Sequence, residues 1–173
     1  MRPLKQIRIY DIVLIALFSA VLFIQEQFLT FIPNVQLTIF LIILFSKKLG
    51  VLKTFLIIII HVIIDGLFTS SLGIIYTPFI FIGLLIIPIT LHTIFKKISS
   101  TIALSLLSVL YAVIYSWLFL IPFVYILHVD PVTYIIADIP FQLLLASSSF
   151  MSTLALYKPS SNLFDMLMID KKI

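Results

Sequence analysis

Seven residues of this chain carry polar chemistry where nearly everything around them is hydrocarbon: Glu26, Asn34, Gln36, His61, Asp65, Asp138 and Gln142. A charged side chain inside an apolar layer costs a few kcal/mol unless it is paired or wetted, so such residues mark functional positions by default. His61 and Asp65 are four residues apart, as are Asp138 and Gln142, and that spacing places each pair on one helix face. Tyr111, Tyr115 and Trp117 add aromatic surface. Acids and amides brought to one height from several segments supply what a binding cavity needs, a few convergent polar groups in an apolar wall. With no fixed cation among them, they suit a neutral or cationic small molecule better than a polyanion.

Each residue also has a plainer reading. Gln25, Glu26 and Gln27 fit the interfacial end of a membrane span. Asp138, followed by Pro140, has the pattern of a helix N-cap with proline in the first turn, and Asp130-Pro131 that of a turn. His61 and Asp65 could form a private ion pair between helices. His92 beside Lys96 reads as interfacial, His128 as a loop residue, and tyrosine or tryptophan at a span end as an interface anchor.

Catalysis has no evident home. The chain has no Cys and only four Gly, without a phosphate-binding G-x-x-x-x-G-K-[ST] loop. Its three histidines are far apart, so no zinc motif forms. No G-x-S-x-G occurs, and Ser147-Ser148-Ser149 has no histidine nearby in sequence. An intramembrane enzyme using His61 and Asp65 as base and acid lacks a nucleophile or a metal set. No cofactor, metal or catalytic residue is expected.

The elements that position these residues follow from composition. Of 173 residues, 62% are hydrophobic and 10% charged, whereas a soluble domain carries roughly a quarter charged residues to wet its surface. A disordered chain, a disulfide scaffold and a water-soluble enzyme are excluded, leaving an all-α integral membrane protein in the lipid bilayer. All eleven basic residues fall in four clusters: Arg2, Lys5 and Arg8; Lys47, Lys48 and Lys53; Lys96 and Lys97; Lys158, Lys171 and Lys172. Between successive clusters an apolar stretch is broken once, at Pro33-Asn34, at Thr69-Ser70-Ser71 with Gly73, and at His128 to Pro131. Each stretch reads as an out-and-back helical hairpin. Three hairpins predict a single domain of six transmembrane helices in a compact bundle, with spans at 10–32, 34–48, 50–69, 74–95, 101–127 and 133–157.

The positive-inside rule puts all four basic clusters and both termini in the cytoplasm of a multi-pass cell-membrane protein. Asp11, Asp165 and Asp170 go with the basic clusters, whereas Glu26, Asp65, Asp130 and Asp138 fall in or near the outer half. The net charge of +4 therefore describes the inner face and does not argue for nucleic acid. The first helix reads as uncleaved, because Phe18 is too bulky for the −3 position of a cleavage site at Ala20. One span is irregular. From Val35 to Ser46 the apolar run makes only about 18 Å of helix, so either Lys47 and Lys48 snorkel or the segment 25–36 is partly unwound, which is tolerated where backbone lines a cavity.

A last pattern concerns packing. Ala16 and Ala20 share a face of the first helix, and small residues at that spacing let helices approach closely in lipid. With this in view, the chain resembles a substrate-binding S component of the energy-coupling factor (ECF) class of vitamin transporters. Four places carry the resemblance: Ala16-x-x-x-Ala20; Phe31-Ile-Pro-Asn-Val-Gln-Leu37 leading into Leu41-Ile-Ile-Leu44; Ile64-Asp-Gly66; and Ile139-Pro-Phe-Gln142 with Leu156-Tyr-Lys-Pro159. It implies a non-enzymatic subunit that binds a vitamin or vitamin precursor on the extracellular side. The subunit then topples in the membrane to deliver the ligand, in complex with a membrane coupling subunit and two ABC ATPases. By motif match, Ala16 and Ala20 contact the coupling subunit, and Asn34, Gln36, Asp65 and Gln142 line the cavity. The runner-up is a cell-shape membrane scaffold resembling the rod-shape-determining protein MreD, in which an acidic-Gly-Leu turn compares with Asp65-Gly66-Leu67.

Overall fold

The computed structural model describes residues 9–69, 73 and 75–169, and the side chains among them except those of 167–169. Arg2, Lys5, Arg8, Ser70, Ser71, Asp170, Lys171 and Lys172 lie outside the described residues. Regular structure among those described is entirely α-helical: α1 Ile9–Leu29, α2 Thr38–Leu49, α3 Val51–Phe68, α4 Thr77–His92, α5 Thr101–Leu118, α6 Leu120–Tyr125 and α7 Pro131–Ile169.

Helix directions alternate, and the polar contacts show it. At one end Lys53 Nζ lies 2.5 Å from Asp11 Oδ1 and Lys48 Nζ 2.7 Å from Asp165, while Lys47 Nζ donates to the Ile98 carbonyl at 2.8 Å. These contacts gather the start of α1, the α2–α3 junction, the segment after α4 and the end of α7. At the opposite end Gln27 on α1 donates to Asp65 on α3, and Ser116 on α5 donates to Asp138 on α7. The predicted separation of lysines from the Glu26, Asp65 and Asp138 group is thus present in three dimensions.

The shortest of the main helices sits at the centre. Every residue from Thr38 to Ser46 is buried apart from Leu41, which is partly so, and α2 packs against α1, α3, α4, α5 and α7. A helix apolar on all sides must be surrounded by others. Around it, α1 turns Ile15, Ser19 and Leu22 inward at helical spacing. Ile12, Val13, Leu17, Ile24 and Phe28 stay exposed, as suits a surface solvated by lipid. The α5–α7 seam is built from small side chains. Ser105, Ser108, Ala112 and Ser116 on α5, and Ser149, Ser152 and Thr153 on α7, are all buried, allowing the close approach that dispersion forces require in lipid.

Several boundaries differ from expectation for identifiable reasons. The second helix starts at Thr38, not residue 34, because Asn34 adopts a left-handed conformation (φ 57°) and the chain from Thr30 to Leu37 is non-helical. The fourth is confined to Thr77–His92. The fifth breaks at Phe119, since the Pro122 ring excludes the carbonyl of Leu118, four residues back. The last starts at Pro131 and continues to Ile169, through Pro159. Beyond that proline, Phe164 stacks on Phe18 at 5.0 Å and Asp165 is held by Lys48. Asp138 is therefore mid-helix and not an N-cap. Asp130 takes that role, its Oδ2 accepting the Thr133 N–H at 2.9 Å and the Thr133 hydroxyl at 3.0 Å.

Four helical stretches are long and apolar enough to cross a membrane: Ile9–Leu29, Val51–Phe68, Thr101–Tyr125 and Pro131–Met166. At 1.5 Å per residue α4 is about 24 Å long and α2 about 18 Å, both shorter than a hydrocarbon layer of roughly 30 Å.

Two outcomes test this packing. A Cβ on Gly83 of α4 would meet Tyr115 Cδ2 at 2.7 Å and Leu118 Cδ1 at 3.2 Å, so Gly83→Ala overpacks the α4–α5 contact. It should lower thermal stability in detergent by about 1–3 kcal/mol, and Tyr115→Leu in the same chain should recover part of the loss. The Thr133 hydrogen bonds hold the Asp130 carboxyl below the usual carboxylate range. A depressed carboxylate stabilises the fold above its unfolded value, near 3.9, and that contribution is lost as pH falls through the depressed one. Amide protection factors over Val132–Tyr134, the exchange rates divided into the intrinsic rates at each pH, should accordingly hold at neutral pH and fall only well into the acid range, and Asp130→Ala should lower them at neutral pH.

Candidate functional site

The site begins with a broken helix. Where α1 ends and α2 starts, eight residues, 30–37, run outside any helix, exposed as far as Asn34 and partly buried from Val35 to Leu37, and the N–H groups opening α2 need partners. Near the end of α1, Gln25 supplies one, for the residue just before α2. Its Oε1 accepts the Leu37 N–H at 2.8 Å, and its Nε2 donates to Thr38 Oγ1 at 2.7 Å and to the Leu22 carbonyl at 3.0 Å. Of the two explanations for the short apolar run, the unwound segment is the one observed, at 30–37. From α7, Ser148 Oγ reaches the Asn34 carbonyl at 3.5 Å.

Beside this break lies a cavity of about 50 Å³ lined by Glu26 of α1, Gln36 of the link, Thr38 of α2, His61 and Asp65 of α3, Thr77 of α4 and Tyr115 of α5, among others. Five of the eight expected binding residues, Glu26, Gln36, His61, Asp65 and Tyr115, thus meet at one place. No Lys or Arg lines it. Its volume accommodates one or two waters, whose share of liquid volume is about 30 Å³ each.

The hydrogen bonding within the wall differs from the expected pairing. His61 does not form a private pair with Asp65. Its Nε2 lies 3.1 Å from Glu26 Oε2, with only 3% of the His61 side chain exposed, because His61 is directed across to α1. The approach is close, yet it lacks hydrogen-bond alignment, leaving Glu26 Oε2 buried without a hydrogen-bond partner; His61 Nδ1, the other ring nitrogen, is also buried without one. Both atoms belong to residues that line the cavity. Asp65 Oδ1 instead accepts from Gln27 Nε2 at 3.1 Å. Thr38 Oγ1 lies 3.3 Å from both Glu26 Oε1 and Gln36 Oε1; with one proton it donates to one of them at a time.

The other expected residues are elsewhere. Asp138 accepts from Ser116, and Gln142 Oε1 accepts from Trp117 Nε1 at 3.1 Å, so both fasten α7 to α5 outside the cavity wall. Asn34 is exposed in the unwound link. Tyr111 bonds Thr90 at 2.7 Å inside the bundle. On α1, Ala16 faces outward and Ala20 is half-buried. The close α1–α3 approach uses Ser19, whose hydroxyl lies 3.3 Å from the Ile57 carbonyl. Ser149 packs inside the bundle, and Ser147 faces out.

Four contributors escaped the sequence reading. Gln25 and Gln27 stood out only as part of an interfacial cluster, and Thr38 and Thr77 not at all. The available signal was their position: each threonine is the first residue of a helix adjoining a break, where a hydroxyl competes well for backbone partners. Among the described residues, no three His, Asp or Glu side chains gather closely enough to hold a metal. No protein-family model, curated protein or solved structure matches this chain.

Replacing Gln25 with Leu leaves the half-buried Leu37 N–H without its acceptor. The expected cost is about 1–3 kcal/mol, read as a fall in melting temperature in detergent. Gln142→Leu, which removes only an exposed bond to Trp117, should cost about 0.5 kcal/mol or less; equal losses would show that Gln25 does not hold the start of α2.

Proposed function

We propose that the chain is the substrate-binding subunit of an energy-coupled membrane importer, similar in kind to an ECF-type S component, and takes up a vitamin-like small molecule. The observation that carries this reading is the meeting of Glu26, Gln36, His61, Asp65 and Tyr115 around one cavity, at the end of the bundle opposite the lysines. A transmembrane helix bundle with unpaired acceptors at its acid-lined end and no motif for hydrolysing ATP is suited to capture and not to chemistry.

In this proposal the six helical passes put the lysine-bearing end and both termini in the cytoplasm, and the cavity opens to the outside of the cell membrane. The unwound link is the element that gives way on binding, because it carries Gln36 and no continuous helical ladder holds it in place. Acid-lined and free of fixed cations, the cavity selects a neutral or cationic group. The apolar outer face of α1, with Ala16 at its middle, is the surface for the coupling subunit, which joins the chain to two ATPases. Delivery then proceeds by reorientation of the whole subunit.

Co-expression with a coupling subunit and its ATPases supplies the test. The chain should co-purify with them and support ATP-dependent uptake, and purified alone it should bind one of a panel of vitamins and precursors without ATP. Ala16→Trp, on a face already outside the bundle, should abolish co-purification while leaving binding by the isolated chain unchanged. If no panel member binds and Ala16→Trp assembles normally, the proposal fails.

A further inference from the structure

A second space adjoins the cavity. Between α3 and α4 an apolar groove of about 610 Å³ opens on the lipid-facing side, lined by Ile59, Ile63, Pro78 and Phe81, together with Val62 and Thr77. Val62 and Thr77 also line the polar cavity, so these two side chains form a common wall, and Val62 is itself 7% exposed. The two spaces are unequal in size and opposite in character. The inner one has room for a group no larger than one or two waters, whereas the outer has the volume of a whole small-molecule site, roughly 300–1,000 Å³.

The inner chamber also specifies the chemistry of what enters it. Glu26, whose Oε2 makes no aligned hydrogen bond, and Asp65 place two carboxylates in its wall. Two carboxylates with no fixed cation beside them call for a compact cationic group, and a primary ammonium has three N–H bonds to share among them. A long apolar body attached to that group would occupy the groove.

Resting on the binding role above, we propose that the ligand is an amphiphilic primary amine whose protonated head sits among Glu26, His61 and Asp65. Its hydrocarbon tail lies between α3 and α4, and it enters sideways from the lipid past Val62 and Thr77. The outer route through the unwound link is then not needed for loading. A lipid chain occupying the groove without reaching the cavity is the competing occupant.

The test uses the full chain in nanodiscs of zwitterionic lipid, with two photoreactive probes, dodecylamine and dodecanol, each bearing a diazirine at the tail end. The amine probe should label the peptides containing Ile59–Ile63 and Pro78–Phe81. Excess dodecylamine should suppress that labelling, and excess ethylamine or dodecanol should suppress it about 10-fold less effectively, the loss expected when a charged hydrogen bond or the apolar tail is missing. The carboxamide variant Glu26→Gln with Asp65→Asn should lose the preference for amine over alcohol. Val62→Trp, which fills the common wall from the lipid side, should lose labelling in the groove. Competition in the unaltered chain decides the matter even if a variant does not fold. Equal labelling by both probes, labelling spread over all lipid-facing helices, or no labelling overturns the proposal and leaves the groove to bulk lipid. Binding of a compact, tail-free vitamin by a chain that co-purifies with its coupling subunit would overturn it too, while sustaining the importer reading; loss of co-purification would count against the importer reading alone.

Discussion

A backbone amide in hydrocarbon has no water to turn to, and this constraint organises the bundle. The central helix α2 is too short to carry its ends out to the membrane surfaces, so its first N–H groups must be satisfied inside the protein. Gln25 ties down the approach to that end with one side chain, accepting the amide N–H of Leu37 and donating to the hydroxyl of Thr38 and to its own helix at Leu22. Once α2 is fixed in that way, the chain before it cannot be helical, and the unwound link becomes available to present Gln36 to a cavity. The polar wall is thus a by-product of closing one helix end, to which Glu26, His61 and Asp65 add what structure alone does not require.

The two ends of the molecule deal with charge differently. At the lysine-bearing end the charges are paired: Lys53 with Asp11, Lys48 with Asp165, and Lys47 with backbone carbonyls. Pairs of this kind fasten helix ends and leave little unspent polarity. At the other end Asp65 and Asp138 also have partners, but Glu26 Oε2 and His61 Nδ1 do not. Buried polar atoms without partners are few in a folded chain and call for an explanation. Here both belong to residues lining the same small cavity, which sets that end apart from the paired one.

Much of this was legible in the sequence and some was not. The helical class and the membrane setting follow from apolar composition, and the grouping of lysines at one end from their spacing. The short run before Ser46 exposed the break near Asn34. Boundaries were missed where proline acted against habit: Pro122 divides a helix that hydrophobicity alone reads as continuous, whereas Pro159 does not stop α7, because Phe164 and Asp165 beyond it have docking partners. The placing of His61 against Glu26, and of Gln27 against Asp65, depends on how α1 and α3 are rotated relative to one another. Spacing within one helix carries no information on that rotation. Ala16 and Ser19 illustrate the same limit, since either could have faced α3, and it is Ser19 that does.

The buried position of α2 also bears on how the molecule is made. A segment of twelve residues ending in Lys47 and Lys48 is a poor substrate for insertion into a bilayer by itself, and only Gly50, at φ 85°, separates it from α3. The two must therefore enter lipid as one re-entering pair, with α3 supplying the apolar length. Final seating of α2 waits for α7, which follows it in the chain and whose Asp165 and Phe164 close over its end. Until then an apolar cylinder lacks part of its cover, which makes late truncation of this chain a route to a sticky, unfinished intermediate and not to a smaller working bundle.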